Sequence, residues 1–289
     1  MDITKLFLAL ILLCCSGCST ISLGYDHADW ILRYSINDYT SFNTAQREQI
    51  HQQVDDYLRW HRKIVLPGYI ATLQHIDEAV NQQSGMTVGD VMRLRAESAS
   101  LYQLTLEPMF QPAAHILSSL DSEQIAELAD NFAKRDGKQR KLMLQGSEQN
   151  MLAARAERDV ELVGKLFGTL SFEQAKKITE MSLHIPFATR AFLEQREAKH
   201  AKMIALLKDK AGEDPLAALF QQWLSKPEDS RTPQQQQVID AYENAMNDMT
   251  VQIIAMLTAR QKRHLTEEIA SLVDDFKKLN TADEEASTQ

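Results

Sequence analysis

Beyond residue 18 the chain has no cysteine: all three, Cys14, Cys15 and Cys18, lie near the start of a 289-residue sequence. No disulfide can staple the body, but about 270 residues can bury an adequate core without one. The chain also lacks any convincing segment of alternating polar and apolar residues, so strands are not expected. Its eight histidines (27, 51, 61, 75, 115, 184, 200 and 264) include no pair three or four apart, which excludes a helical two-histidine metal site. Gly146-Ser147 lacks the flanking glycine of a hydrolase elbow. Gly137-Lys138 lacks the leading glycine and the Ser/Thr of a phosphate loop. No cofactor is implied, and an enzyme is the least favoured class.

The first residues set an address. Lys5 and the apolar run Leu6 to Leu13 have the length of a signal-peptide core, too short for a membrane span. Ser16-Gly17-Cys18 resembles a bacterial lipobox, in which cleavage precedes a cysteine whose thiol is acylated. Cys15 stands where that box usually has Leu, and Asp2 dilutes the positive leader. Ser19 after the cysteine resembles the outer-membrane sorting signal of Gram-negative lipoproteins. The expected organisation is a leader over 1–17, a lipidated tether over 18–24, one helical domain over 25–279 and a disordered tail over 280–289. Removing the leader takes away Asp2 and Lys5 together and leaves the net charge at −9. Such an acidic body is a poor candidate for nucleic acid or for general adhesion to anionic lipid. The expected partners are the membrane, through the lipid, and envelope or unfolded proteins.

From Tyr25 onward the apolar spacing is helical. Ile50, Val54, Tyr57, Leu58 and Ile64 recur at three- or four-residue steps, or close to it, as do Leu265, Ile269, Leu272, Val273 and Phe276. Breaks are expected at Pro67-Gly68, Ser84-Gly85, Pro108, Gly168, Gly212 to Pro215 and Lys226 to Pro233. Gly137 and Gly146 are expected to kink or interrupt a long helical stretch from about 122 to 167. The fold class is all-α, a bundle of roughly ten helices.

One local pattern occurs four times: Phe42-Asn43-x-x-Gln46, Leu120-Asp121-x-x-Gln124, Leu170-Ser171-x-x-Gln174 and Leu257-Thr258-x-x-Gln261. An apolar residue precedes a cap former, and Gln stands at the third helical position. Such a box starts a helix, because the cap side chain accepts an amide N–H of the first turn while Gln reaches back to the cap amide. The pattern resembles the Leu-Thr-x-x-Gln motif of small helical periplasmic stress proteins such as spheroplast protein Y, an ATP-independent chaperone. Only Leu257 to Gln261 matches it letter for letter. That resemblance implies two similar halves, 25–168 and 169–279, imitating the family's dimer; the plainer reading is four ordinary helix starts.

Tyr25-Asp26-His27-Ala28-Asp29-Trp30, Asp38-Tyr39, Gln46, Trp60-His61-Arg62 and Leu66-Pro67-Gly68-Tyr69 resemble a family of proteobacterial lipoproteins, the domain of unknown function 6279. The resemblance implies a lipid anchor, a helical fold and the Gram-negative envelope, and carries no catalytic residues. If the first two helices pack antiparallel, Trp30 and Trp60 approach each other and Asp29 or Asp38 reaches His61 or Arg62. A carboxylate beside His61 could support acid–base chemistry; an ion pair locking a helical hairpin is the plainer reading.

Two further features have the same double reading. The run Lys134, Arg135, Lys138, Arg140, Lys141 is either a solvated helix face or a dock for an acidic partner. Met143 and Met151, or Met246, Met249 and Met256, are either core filling or an adaptable binding surface. The function expected is a lipid-anchored envelope binding protein with a chaperone-like or maintenance role. An adaptor that docks an envelope complex is the alternative.

Overall fold

A computed structural model describes residues 24, 25 and 27–286, the side chains of 281–286 excepted, so Cys18 and Ser19 lie outside it. Every regular element among the described residues is helical. From Ala28 onward there are twelve α-helical segments: α1 (Ala28–Asn37), α2 (Thr44–Trp60), α3 (Leu66–Asn81), α4 (Val88–Leu106), α5 (Phe110–Ser118), α6 (Ser122–Met143), α7 (Glu148–Phe167), α8 (Phe172–His184), α9 (Thr189–Lys208), α10 (Glu213–Ser225), α11 (Pro233–Ala255) and α12 (Ala259–Ala286). A π turn, His61–Val65, joins α2 to α3, and a 3-10 turn, Glu107–Met109, joins α4 to α5. Counted as continuous rods the helices number ten, as the periodicity predicts.

The chain lays its helices down in consecutive pairs that alternate between two cores. The pairs α1/α2, α5/α6 and α9/α10 enclose one core, built on Ile50, Val54, Leu58, Leu128, Phe132, Leu207 and Leu216. The pairs α3/α4, α7/α8 and α11/α12 enclose the other, built on Leu73, Leu94, Phe167, Ile178, Ile254 and Leu272. Each pair turns back at its far end, so the molecule has two tips and a waist that the chain crosses five times. At 1.5 Å per residue the rod from Thr44 to Asn81 runs about 55 Å from one tip to the other. Neither core corresponds to a sequence half, since both draw helices from either side of residue 168.

Proline explains the shape of the first crossing. Pro67 has no N–H to donate, and its ring crowds the carbonyl four residues back. The backbone widens into i→i−5 bonding, the Leu66 amide donating to the His61 carbonyl, and the helix continues where a break was expected. The extra residue also rotates the apolar stripe. Ile64, expected on the buried face, is exposed, and Val65 and Leu66 take its place. Gly68 then allows α3 to press on α4, where a Cβ would sit 2.7 Å from Leu101 Cδ1. Pro108 is absorbed by the opposite device, a tightened 3-10 turn over Glu107–Met109.

Of the two glycines expected to interrupt the 122–167 stretch, Gly137 lies inside an unbroken α6. Gly146 turns the chain at φ 89°, a left-handed conformation that suits glycine. The last helix runs through Ala286, past residue 279, where a disordered tail was expected to begin. Met246, Met249 and Met256 all pack in or against the second core, where they fill space.

The close α3–α4 contact makes a prediction. Gly68→Ala should lower the unfolding free energy in urea by about 1–3 kcal/mol through overpacking, and Leu101→Val in the same chain should restore part of it. An unchanged midpoint for Gly68→Ala would count against the close approach.

Candidate functional site

All four predicted boxes form, and they do more than cap helices. In each, the Gln Oε1 accepts the cap residue's own amide: Asn43 N–H to Gln46 (2.9 Å), Asp121 to Gln124 (3.0 Å), Ser171 to Gln174 (2.9 Å) and Thr258 to Gln261 (2.9 Å). The amide N–H can only donate, so it fixes which end of each Gln side chain is oxygen. The amide nitrogens are thereby aimed away from the parent helix, and they meet in pairs. Gln46 and Gln124 exchange hydrogen bonds, Nε2 to Oε1, at 3.2 and 2.7 Å. Gln174 and Gln261 do the same at 2.9 and 3.0 Å.

The second N–H of each amide goes to a backbone carbonyl two residues before the partner's cap. Gln46 donates to Ser119 O, Gln124 to Ser41 O, Gln174 to Met256 O and Gln261 to Thr169 O. Each amide therefore uses two donors and two acceptor sites, its full capacity. One such lock closes each tip. The pairing follows the sequence halves, 43 with 121 and 171 with 258, even though the cores do not. Gln46, Gln124 and Gln261 are buried, as are Ile50, Leu128, Ile178 and Leu265 four residues beyond each Gln.

Two boxes were not anticipated. Thr87 with Asp90 starts α4, and Thr232 with Gln235 starts α11. The first has an acid in place of Gln, and the second follows Arg231 in place of an apolar residue. Neither meets a second box: Asp90 accepts from Gln82 Nε2 (3.0 Å), eight residues back, and Gln235 donates to Glu194 (3.0 Å).

The N-terminal cluster gathers at the waist, with different partners from those expected. Trp30 stacks on Tyr34 of its own helix at 5.5 Å, and Trp60 lies against Tyr57 at 5.7 Å, so the Trp30–Trp60 approach gives way to contacts within each helix. Asp29 and Asp55 both pair with Arg33, and Asp38 pairs with Arg135. Among the described residues His61 is met instead by the Tyr25 hydroxyl, 2.7 Å from Nδ1. The helices do run antiparallel, but the carboxylates stop short of His61. Tyr57 and Tyr69 flank the imidazole with ring centres at 5.7 Å, while Arg62 lies over the Tyr25 ring at 5.2 Å. The same tyrosines clamp the two rods together, Tyr57 donating to Thr105 O and Tyr69 sharing a bond with Thr105 Oγ1, both at 3.2 Å.

This setting has electrostatic consequences. Burial lowers the His61 pKa to about 4 and raises that of Tyr57 well above the phenolic range. A neutral imidazole walled by tyrosines is a poor general base at neutral pH. Beside it, a cavity of about 320 Å³ between α1 and α2 is lined by Tyr25, Asp29, Asp55, Arg59 and Arg62.

In the basic run Lys134 pairs with Asp130, Arg135 with Asp38, and Arg140 bidentately with Glu197. The Arg155 guanidinium takes the carbonyls of Ser182, Ile185 and Pro186 and so closes the C-terminal end of α8. No group of three or more potential metal ligands occurs among the described residues, and none of their helices is long and apolar enough to cross a membrane.

Two predictions test this geometry. Gln124→Glu keeps the oxygen that accepts the cap amide but loses both donors, so it should cost about 1–3 kcal/mol where capping alone would cost little. In a double-mutant cycle Gln46→Ala and Gln124→Ala should couple by about 0.5–3 kcal/mol; additive effects would dissolve the lock. For His61, the unfolded chain binds a proton near the ordinary imidazole value of 6.5 that the folded chain refuses until about 4. That stability is therefore present above the unfolded pKa and is lost as pH falls from 6.5 toward 4. His61→Phe should flatten this part of the stability profile, and a parallel profile would assign the loss to other groups.

The family of unknown function DUF6279 matches residues 38–231, more than half of the chain. The match spans the first glutamine lock and the Trp60-His61-Arg62 segment at the waist. It stops short of α1's aromatic residues and of the fourth box. No curated protein and no solved structure matches the chain. With all three helix pairs of the first tip falling wholly or mostly within the matched span, the chain belongs to the DUF6279 family.

Proposed function

We propose that this protein is a lipid-anchored binding protein of the Gram-negative envelope, tethered at Cys18, with a chaperone-like or envelope-maintenance role. The observation that carries the reading is the pair of matching glutamine locks. Two boxes within one half close one tip and two within the other half close the opposite tip, a covalent version of two box-bearing chains. Because every lock amide is consumed internally, the boxes build the scaffold and leave client contact to other surfaces. Catalysis is disfavoured by the setting of His61, which has no carboxylate among its described partners and whose buried imidazole is a weakened base.

A second reading, an adaptor for an envelope complex, is favoured by one observation. The exposed large apolar side chains, Trp30, Val88, Met92, Leu104, Leu142 and Phe172 among them, are spread over α1, α4, α6 and α8. A general holdase would gather them on one face.

The two readings separate in an aggregation assay. The body from residue 19 onward should suppress light scattering by several unrelated unfolding proteins at near-equimolar ratio, without ATP. No suppression, with stoichiometric capture of one envelope partner, would put the adaptor first. Independently, mass spectrometry should find an acylated Cys18 at the mature N-terminus, and Cys18→Ala should release the protein from membranes.

A further inference from the structure

α1 is amphipathic in an unusual sense: both of its faces are apolar. Ala28, Leu32 and Ile36, at four-residue steps, pack against the first core and hold the helix to the body. The opposite face presents Trp30, Ile31 and Tyr34, which are 63%, 45% and 63% exposed. Trp30 and Tyr34 are already stacked, so the patch is a preformed aromatic surface. Indole and phenol rings, each with an apolar body and a polar tip, are the side chains that favour the headgroup layer of a bilayer.

Charge would ordinarily oppose this, since the chain carries a net −9. Around α1, however, the described carboxylates are each held by an arginine: Asp29 and Asp55 by Arg33, Asp56 by Arg59 and Asp38 by Arg135. Lys63 and the exposed Ile64 lie at the end of the α1–α2 pair from which the chain leaves toward its N-terminus. Chain length supplies the last argument. Only residues 19–24 separate Cys18 from Tyr25, at most about 20–25 Å of extended backbone. A tether that short keeps α1 close to whatever surface holds Cys18.

We propose that the Trp30–Ile31–Tyr34 face of α1 docks in the headgroup layer of the phospholipid bilayer, so that the body lies against the membrane on this helix. The proposal rests on the reading of Cys18 as the membrane anchor. The occupant is the lipid interface; a second copy of the chain or a protein partner on this face are the competing outcomes.

The test separates the docking from natural acylation. Cys18 is the single thiol of the chain from residue 18 onward, so it can be coupled chemically to maleimide-headgroup lipid in phosphatidylethanolamine/phosphatidylglycerol vesicles. With 5-fluorotryptophan in place of all three tryptophans, the Trp30 resonance is assigned by Trp30→Phe and followed by fluorine NMR. Paramagnetic lipid should broaden Trp30 at least several-fold more than Trp60 or Trp223, and aqueous quencher should reach it less than in the free protein. Trp30→Ser with Tyr34→Ser should leave the fold intact by circular dichroism and release the body to reorient. Trp30 remaining as water-accessible on vesicles as in solution would overturn the proposal. Protection that grows with protein surface density and yields chain-to-chain crosslinks would also overturn it, assigning the face to a second copy. Failure of acylation in cells would show separately, as an unmodified Cys18.

Discussion

A primary amide buried away from water must find four partners or forfeit the free energy of each one missing. In each lock the Gln meets that demand with one bond to its own helix start, two to the facing amide and one to a carbonyl two residues before the partner's cap. The arrangement ties four things at once: two helix N-termini and the two turns that lead into them. At one tip it fixes α1/α2 against α5/α6, and at the other α7/α8 against α11/α12. The third helix pair at each tip is held by apolar packing, by the Thr87–Asp90 box at one end and the Gly212 turn at the other. Glutamate could cap these helices but could not reciprocate, since two carboxylates have no proton to share at neutral pH.

The waist is held by different physics. Five crossings pass through it, two as helices that never unwind and three as short turns. At the first, a proline that would ordinarily end a helix is carried by a π turn, and the tyrosines on either side of that turn clamp onto Thr105 of the neighbouring rod. His61 sits inside this clamp as a neutral ring. Its role in the fold follows from that neutrality: a charge at this place would have to be desolvated among aromatic rings.

Much of this was legible in the sequence. The boxes were legible because capping is local chemistry, written within five residues. The all-helical class was legible because three- and four-residue spacing recurs over long stretches. Partnership was not legible. Gln46 and Gln124 are 78 positions apart, and nothing in either box says that the amide left over from capping meets another. The Pro67 crossing was misread for a related reason. A proline signals the loss of one hydrogen bond, but does not say whether the chain breaks there or widens and continues. His61 was placed near carboxylates from helix direction alone, and that argument could not see that Arg33 and Arg135 claim them first.

The alternation of helix pairs between the tips has a consequence for how the chain is made. A protein whose halves fold in turn can bury its first core while the rest is still emerging. Here the first core must wait for α10, which ends at Ser225, and the second for α12, at the end of the chain. Up to that moment the early helices, each with an apolar face, must wait together, and the native contacts that close both cores are distant in sequence, which slows their search. Completion at either tip is therefore late, and the waist that both tips share couples one to the other. The molecule is built to fold as one cooperative event, and a chain cut anywhere before α12 would leave at least one end without its core.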